Sequence, residues 1–246
     1  MSGHSKWANI KHRKAAVDAK RAKIFTRVAK EITIAARAGG DSSMNSALRL
    51  ALSKAKAANM PNSIIERAIK RGSGEGEGSD LAEFTYEAYA PHGVGLVIEI
   101  VTDNKNRALA EVRHALNKYG GSMAVAGSVA WQFTRKGYIS VTQAVNQDEF
   151  FLLAADAGAD DIQFGETTEV YVSLDNFQAV RNALENADIE LDEATMIYEA
   201  DNPVTLEQGH ALQVMRLIEV LEELDDVQDV YSSLEITDEA IAEMEA

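Results

Sequence analysis

Lys6, Lys11, Arg13 and Lys14 share the stretch GHSKWANIKHRK with Trp7, His4 and His12, and none of its twelve residues is an acid. Ammonium and guanidinium groups at this density make charge-assisted hydrogen bonds to phosphate oxygens, and an indole among them can lie on a base or a sugar. The series continues through Lys20, Arg21, Lys23, Arg27 and Lys30, against a single acid, Asp18. A solvated helix ordinarily mixes signs. One this one-sided stores self-repulsion unless a polyanion neutralises it. The expected contacts are therefore Lys6, Trp7, Lys11, His12, Arg13, Lys14, Lys20, Arg21, Lys23, Arg27 and Lys30, with nucleic acid as the partner. Trp7 has a second reading, as an anchor fixing the arm to the helices behind it.

Other chemistries are poorly represented. Ser53-x-x-Lys56 has serine–lysine spacing, but the companion motifs of penicillin-binding enzymes are absent and the pair sits on a basic helix. No nucleophile elbow, Walker loop, dinucleotide fingerprint or H-E-x-x-H stretch occurs. Of the five histidines only His4 and His12 share a segment, where they extend a phosphate-facing surface better than they would hold zinc. Carboxylates are too numerous to single out an acid–base pair. Neither catalysis nor a cofactor or metal is expected, and no small-molecule substrate is evident.

The charge balance supports this division of labour. The chain of 246 residues carries a formal net charge of −15, yet residues 1–71 hold 16 Lys/Arg against 4 Asp/Glu, a net of +12, and the remainder carries −27. Such asymmetry points to a basic region for a polyanion beside an acidic body. The other reading is two oppositely charged domains that dock on each other. With no cysteine there is no disulfide, thiolate metal site or cysteine nucleophile. No apolar run approaches the roughly 20 residues that span a bilayer, and the polar, basic start is unlike a signal peptide. A cytoplasmic protein without a membrane partner is expected.

The elements that must position these groups fall into three bodies. Residues 1–72 read as a basic helical domain: Ile24, Val28, Ile32 and Ala35 share one face, Gly39 suits a C-terminal cap, and Asn45 or Ser46 can cap a second helix. Pro61 suits the first turn of a third, with Ile64, Ile65, Ala68 and Ile69 inward. Lys and Arg fill the outward faces. Residues 73–80, within GSGEGEGSD, read as a flexible linker, because Glu75 and Glu77 would repel a phosphate from a glycine cradle.

Beyond the linker the period changes to two. Residues 81–136 predict a strand pair about Pro91-His92-Gly93, an amphipathic helix burying Leu109, Val112, Leu116 and Tyr119, and a strand with Val129, Trp131 and Phe133 on a core face. A second, weaker basic stripe, Arg107, His114 and Lys118, interrupted by Glu111, lies on the polar face of that helix. The asparagines of TDNKNR either cap it or offer backbone N–H groups to an anion. Residues 137–202 show a βαββαβ order, the ferredoxin-like split pattern, with expected caps at Asn146–Glu149 and Asp175–Gln178. They carry one base against 15 acids, a net of −14, which argues against an RNA-recognition module. A further helix capped by Thr205 and Gln208, then a short strand, most economically completes the middle sheet. The expected fold is thus multi-domain α and α+β, with a helical bundle, a middle α+β domain (81–136 and 203–246) and an inserted ferredoxin-like domain (137–202). The acidic ending is expected to fray.

The stretches GHSKWANIKHRKAAVDAKRAKIF, NMPNSIIERAIKRG, TDNKNRALAEVRHAL and GSVAWQF, taken in order, resemble the YebC family. That family includes bacterial probable transcriptional regulators and the mitochondrial translational activator of cytochrome c oxidase. The resemblance implies three domains, the ferredoxin-like one inserted into another, and nucleic-acid-linked control of gene expression. It implies either DNA-bound transcription control or a ribosome- and rRNA-associated factor aiding synthesis of proline-rich stretches. The basic opening is the part expected to meet the nucleic acid in either case.

Overall fold

Three helices gather on a narrow aliphatic stripe at the start of the computed structural model, which describes residues 18–75, 81–237 and 240. The basic head, the centre of the linker and most of the acidic ending lie outside the described residues. Helix α1 (Asp18–Ala35) runs into a 3-10 turn at Ala36–Ala38 and stops at Gly39, whose φ of 134° an L side chain would resist. Asn45 then joins two elements. Its Oδ1 accepts from Leu48 N at 3.0 Å to cap α2 (Ser46–Ala57), while its Nδ2 donates to Ala35 O and Gly39 O at 2.7 and 2.8 Å. Helix α3 (Asn62–Gly72) opens behind Pro61. Val28, Ile32, Leu48, Ala51, Ala55 and Ala68 form the shared core. Ile32 and Leu48 are wholly buried, worth about 1.5–3 kcal/mol each. Small residues set the spacing: a Cβ on Gly72 would fall 2.2 Å from Thr33 O.

The next sheet is built from β1 (Ala82–Tyr89), β2 (Gly95–Thr102), β3 (Ser122–Met123) and β8 (Val227–Ser232), in the order β3-β1-β2-β8. Helices α4 (Lys105–Lys118) and α7 (Gln208–Glu222) cover one face, where Leu96, Ile98 and Ile100 meet Val112, Leu116, Met215 and Ile218. Val97 and Val101 are also buried, so the central strand β2 loses water on both faces. That explains its nearly continuous apolar sequence. Strand β8 pairs antiparallel with β2, so a segment from beyond residue 200 completes a sheet begun at residue 82.

Residues 134–199 form a compact unit of their own by contact, separate from the remainder. Its elements are β4 (Phe133–Val141), α5 (Gln147–Asp156), β5 (Asp161–Gln163), β6 (Thr168–Val172), α6 (Phe177–Asn186) and β7 (Glu193–Ala200), with sheet order β5-β6-β4-β7. Ile139, Val141, Val170 and Val172 are buried with Phe150, Phe177, Val180 and Leu184. Among the described residues no helix is long and apolar enough to cross a membrane.

Four local expectations change. Trp131 is 71% exposed, because Ala130–Gln132 forms a 3-10 turn that breaks the alternation; only its flanks, Val129 and Phe133, are buried. The strand begins at Phe133 and runs unbroken to Val141, so the two strands expected on either side of residue 137 are one. Asn146 caps α5 as expected, accepting from Asp148 N and Glu149 N. Asp175 does not cap α6: Asn176 occupies the cap position and turns its amide to Gly158 O. Thr205 does not cap α7 but donates to Glu235 at 2.6 Å.

Candidate nucleic-acid interface

The expected contacts Lys6, Trp7, Lys11, His12, Arg13 and Lys14 lie outside the described residues. Lys20 and Arg21 fall on the first turn of α1, without described side chains. Lys23, Arg27 and Lys30 are described, and all three turn toward acidic parts of the chain itself. Lys23 Nζ donates to the carbonyl of Glu223 at 2.6 Å. Arg27 reaches Asp229 Oδ1 at 3.1 Å. Although desolvation works against its charge, Asp229, Glu222 and Glu31 raise the Arg27 pKa above its ordinary value. Lys30 Nζ donates to Val101 O, Asp225 O and Asp226 Oδ1 at 2.8, 2.6 and 3.0 Å. An ammonium has three N–H donors, so Lys30 has none left for a phosphate.

Strand alternation explains why the acids are there. With Leu96, Ile98 and Ile100 facing the helices, Glu99 and its register partner Asp229 face the opposite side, as does Glu83 on β1. Arg37 of the turn after α1 approaches Glu83 at 3.7 Å and donates to Leu81 O. The acidic sheet face and the basic helix neutralise one another. For this part of the basic region, docking of opposite charges within the chain is what the geometry shows.

The second stripe divides in the same way. Arg107 is committed to Asp226 (2.8 Å), Asp103 (3.0 Å) and Thr102 (3.2 Å), and its hydrogen bonds to Asp226 and Asp103 hold its pKa above the ordinary arginine value. Asp226, whose side chain is 4% exposed, therefore sits between Lys30 and Arg107. Burial disfavours its charge, but hydrogen bonds from Lys30, Arg107 and Thr102 outweigh that and depress its pKa. Asn104 caps α4 by accepting from Arg107 N, so TDNKNR serves the helix start. His114 and Lys118 remain exposed.

Several cations not singled out from the sequence are exposed as well. Lys56 on α2, Arg67 and Lys70 on α3, and Lys105 and Arg113 on α4 form no ion pair among the described residues. Arg67 and Lys70, three apart, share a helix face. The signal for them was present in the outward Lys/Arg of the bundle, but periodicity alone does not separate a free cation from one paired across domains. No group of three His, Asp or Glu side chains is placed to hold a metal among the described residues.

Comparison with known proteins places the chain. The model described as TACO1/YebC protein N-terminal domain matches residues 5–75, and that described as TACO1/YebC second and third domain matches residues 81–234. A "probable transcriptional regulatory protein" of Desulfatibacillum aliphaticivorans is 49% identical, covering 99% of this chain and all of the relative. One of the same description from Fervidobacterium nodosum is 51% identical over 100% of this chain and 97% of its own. The crystal structure of a conserved hypothetical protein from Aquifex aeolicus superposes with a TM-score of 0.83 at 40% identity, covering 91% of this chain and 94% of that one. The chain belongs to the TACO1/YebC family, whose models span its helical start and both of its sheets.

Proposed function

We propose that the protein is a nucleic-acid-binding regulator of gene expression that acts without catalytic chemistry, through phosphate contacts from its basic N-terminal region. The observation that carries this reading is the +12 charge of residues 1–71, of which Lys56, Arg67 and Lys70 stay exposed and unpaired among the described residues after the helices dock. Lys6, Lys11, Arg13, Lys14, Lys20 and Arg21 supply the rest of the positive surface, with Trp7 and His12 among them. The relatives named probable transcriptional regulatory proteins make duplex DNA the first target. A ribosomal RNA target is the second reading, favoured by the exposed Trp131, which an intact duplex gives nothing to stack on. In this proposal residues 134–199 are an inserted ferredoxin-like domain, a reading that the sheet order β5-β6-β4-β7 supports. Its excess of acids gives phosphates nothing to bind.

Salt titration tests the reading. If about five cations each neutralise one phosphate, log Kobs falls against log salt with a slope of roughly −4 to −5 on duplex DNA. Charge reversal of Lys11, Arg13 and Lys14 to Glu lowers affinity steeply and leaves the melting temperature unchanged. Reversal of Lys56, Arg67 and Lys70 does the same to a smaller extent. An affinity insensitive to salt and to both sets of substitutions would overturn the proposal.

A further inference from the structure

The chain holds Trp131 outside its core with unusual care. The indole is 71% exposed, and Val125 in the same loop is 80% exposed. Both belong to the connection between β3 and β4, in which Glu87 of β1 acts as the internal support. Its carboxylate accepts from Gly127 N at 2.6 Å, Val129 N at 2.6 Å and Ala130 N at 2.8 Å. Ser128 O accepts from Trp131 Nε1 at 2.9 Å and from Tyr89 OH at 3.1 Å. The polar edge of the indole is therefore satisfied and its orientation set, while its apolar rings face water. A side chain left outside by chance would have no such scaffold.

Its surroundings select among ligands for a flat apolar ring. Tyr89, which shares Ser128 O with the indole, is the register partner of Ser122, four residues beyond Lys118. The turn between them is tight, since a Cβ on Gly121 would lie 2.7 Å from Tyr89 O. The C-terminal half of α4 thus reaches the sheet edge from which the Trp131 loop springs. It carries Arg113, His114 and Lys118, all exposed, and the Lys118 ammonium lies 5.6 Å from the Tyr119 ring. An exposed aromatic face, on a loop tied through Tyr89 to the strand that follows this helix, together with cations on the helix that have no acid partner among the described residues, matches a single strand, in which bases alternate with phosphates. A peptide ring would use the indole but not the cations.

We propose that Trp131 is a stacking platform for an unpaired nucleobase, with Arg113, His114 and Lys118 taking the adjoining phosphates. This is a second nucleic-acid site, made of other residues than those of the basic head, and it rests on the reading that the protein binds nucleic acid. The test uses the full chain carrying Trp7→Phe, which leaves Trp131 as the sole tryptophan. Single-stranded oligo(A) RNA of about ten nucleotides should quench its fluorescence, and a duplex of the same length should not. In the otherwise natural chain, Trp131→Ala should weaken single-strand binding roughly 5- to 100-fold with an unchanged melting temperature. Arg113→Glu with Lys118→Glu should weaken it too and steepen no salt slope. Nucleic acid that binds with the expected salt dependence while Trp131 stays unquenched, and Trp131→Ala keeps full affinity, would overturn this inference and leave the proposed function standing. Equal quenching by duplex, or quenching by a proline-rich peptide and not by RNA, would also overturn it. Failure of the natural chain to bind any nucleic acid would remove both.

Discussion

Glu99 and Asp229 lie directly opposite each other on neighbouring antiparallel strands, on the face of the sheet away from its two covering helices. Like charges at such positions destabilise a sheet, so this pair needs a counter-cation, and Arg27 provides it to Asp229 at 3.1 Å. Arg27→Ala is expected to cost about 1–2 kcal/mol, near the low end for charged hydrogen bonds because the guanidinium is partly exposed. Asp229→Asn removes both the repulsion and the attraction, so the double variant should be less damaged than the two single losses added together. Urea denaturation of the four chains measures this. Strict additivity would mean that Arg27 and Asp229 do not stabilise one another.

Asp226 predicts how stability responds to acid. Its folded pKa is depressed below the ordinary 3.8 by Lys30, Arg107 and Thr102. The unfolded chain therefore binds that proton first as pH falls. The stabilisation is fully present above the unfolded value and is lost as pH drops through the folded one. Asp226→Ala should cost about 1–3 kcal/mol at neutral pH, because Lys30 and Arg107 lose a charged partner while Lys30 keeps two carbonyls and the half-exposed Arg107 keeps Asp103, and should flatten stability against pH below about 4. Thermal unfolding between neutral and acidic pH checks both. An acid limb unchanged in the variant would assign the loss to other carboxylates.

Legibility differed from element to element for physical reasons. The bundle was readable because its apolar stripe has helical period and Asn45 and Gly39 do local work that residue type announces. The completion of the first sheet by β8 was readable because an isolated helix and strand cannot bury their own faces. Trp131 was misread: its alternation with Val129 and Phe133 looked like a strand, and nothing local reveals that Glu87, some forty residues earlier in the chain, accepts the N–H groups that curl the segment. The fates of Lys23, Arg27, Lys30 and Arg107 were hidden likewise. Each is basic and outward by local pattern, but its partner lies far along the chain. Charge count indicates that a basic surface exists, and only tertiary pairing decides which cations remain in it.

The unit of residues 134–199 predicts its own behaviour. Expressed alone it should unfold cooperatively, since Ile139, Val170, Phe177 and Leu184 supply a core drawn entirely from within it. Gly137 is its most exacting position: a Cβ there would fall 2.3 Å from Phe177 Cδ2 and 2.9 Å from Val172 Cγ1. Gly137→Ala should destabilise the fragment by about 1–3 kcal/mol through overpacking. Circular dichroism melting of the fragment and the variant checks both expectations, and a featureless melt of the parent fragment would refute its independence.

Glu87 should govern the Trp131 loop without touching any ligand. Desolvation works against its charge, yet the N–H groups of Gly127, Ala130 and Val129 bring its pKa below the ordinary 4.5. Replacing it by Ala leaves three amides without their acceptor: that of Gly127 is open to water, those of Val129 and Ala130 are part-buried. The stability cost should be about 1–3 kcal/mol, that of leaving partly buried donors unsatisfied. The larger effect is on order. In the Trp7→Phe background, Glu87→Ala should lower the fluorescence anisotropy of Trp131, because the indole loses the fixed Ser128 carbonyl that holds its edge. Glu87→Gln, which keeps one acceptor oxygen, should fall between. The natural chain should show the same drop in anisotropy only in acid, as pH passes through the depressed Glu87 pKa, and Glu87→Gln should show no such transition. An anisotropy that is unaffected by either substitution would mean that the loop is held by Tyr89 and Ser128 alone.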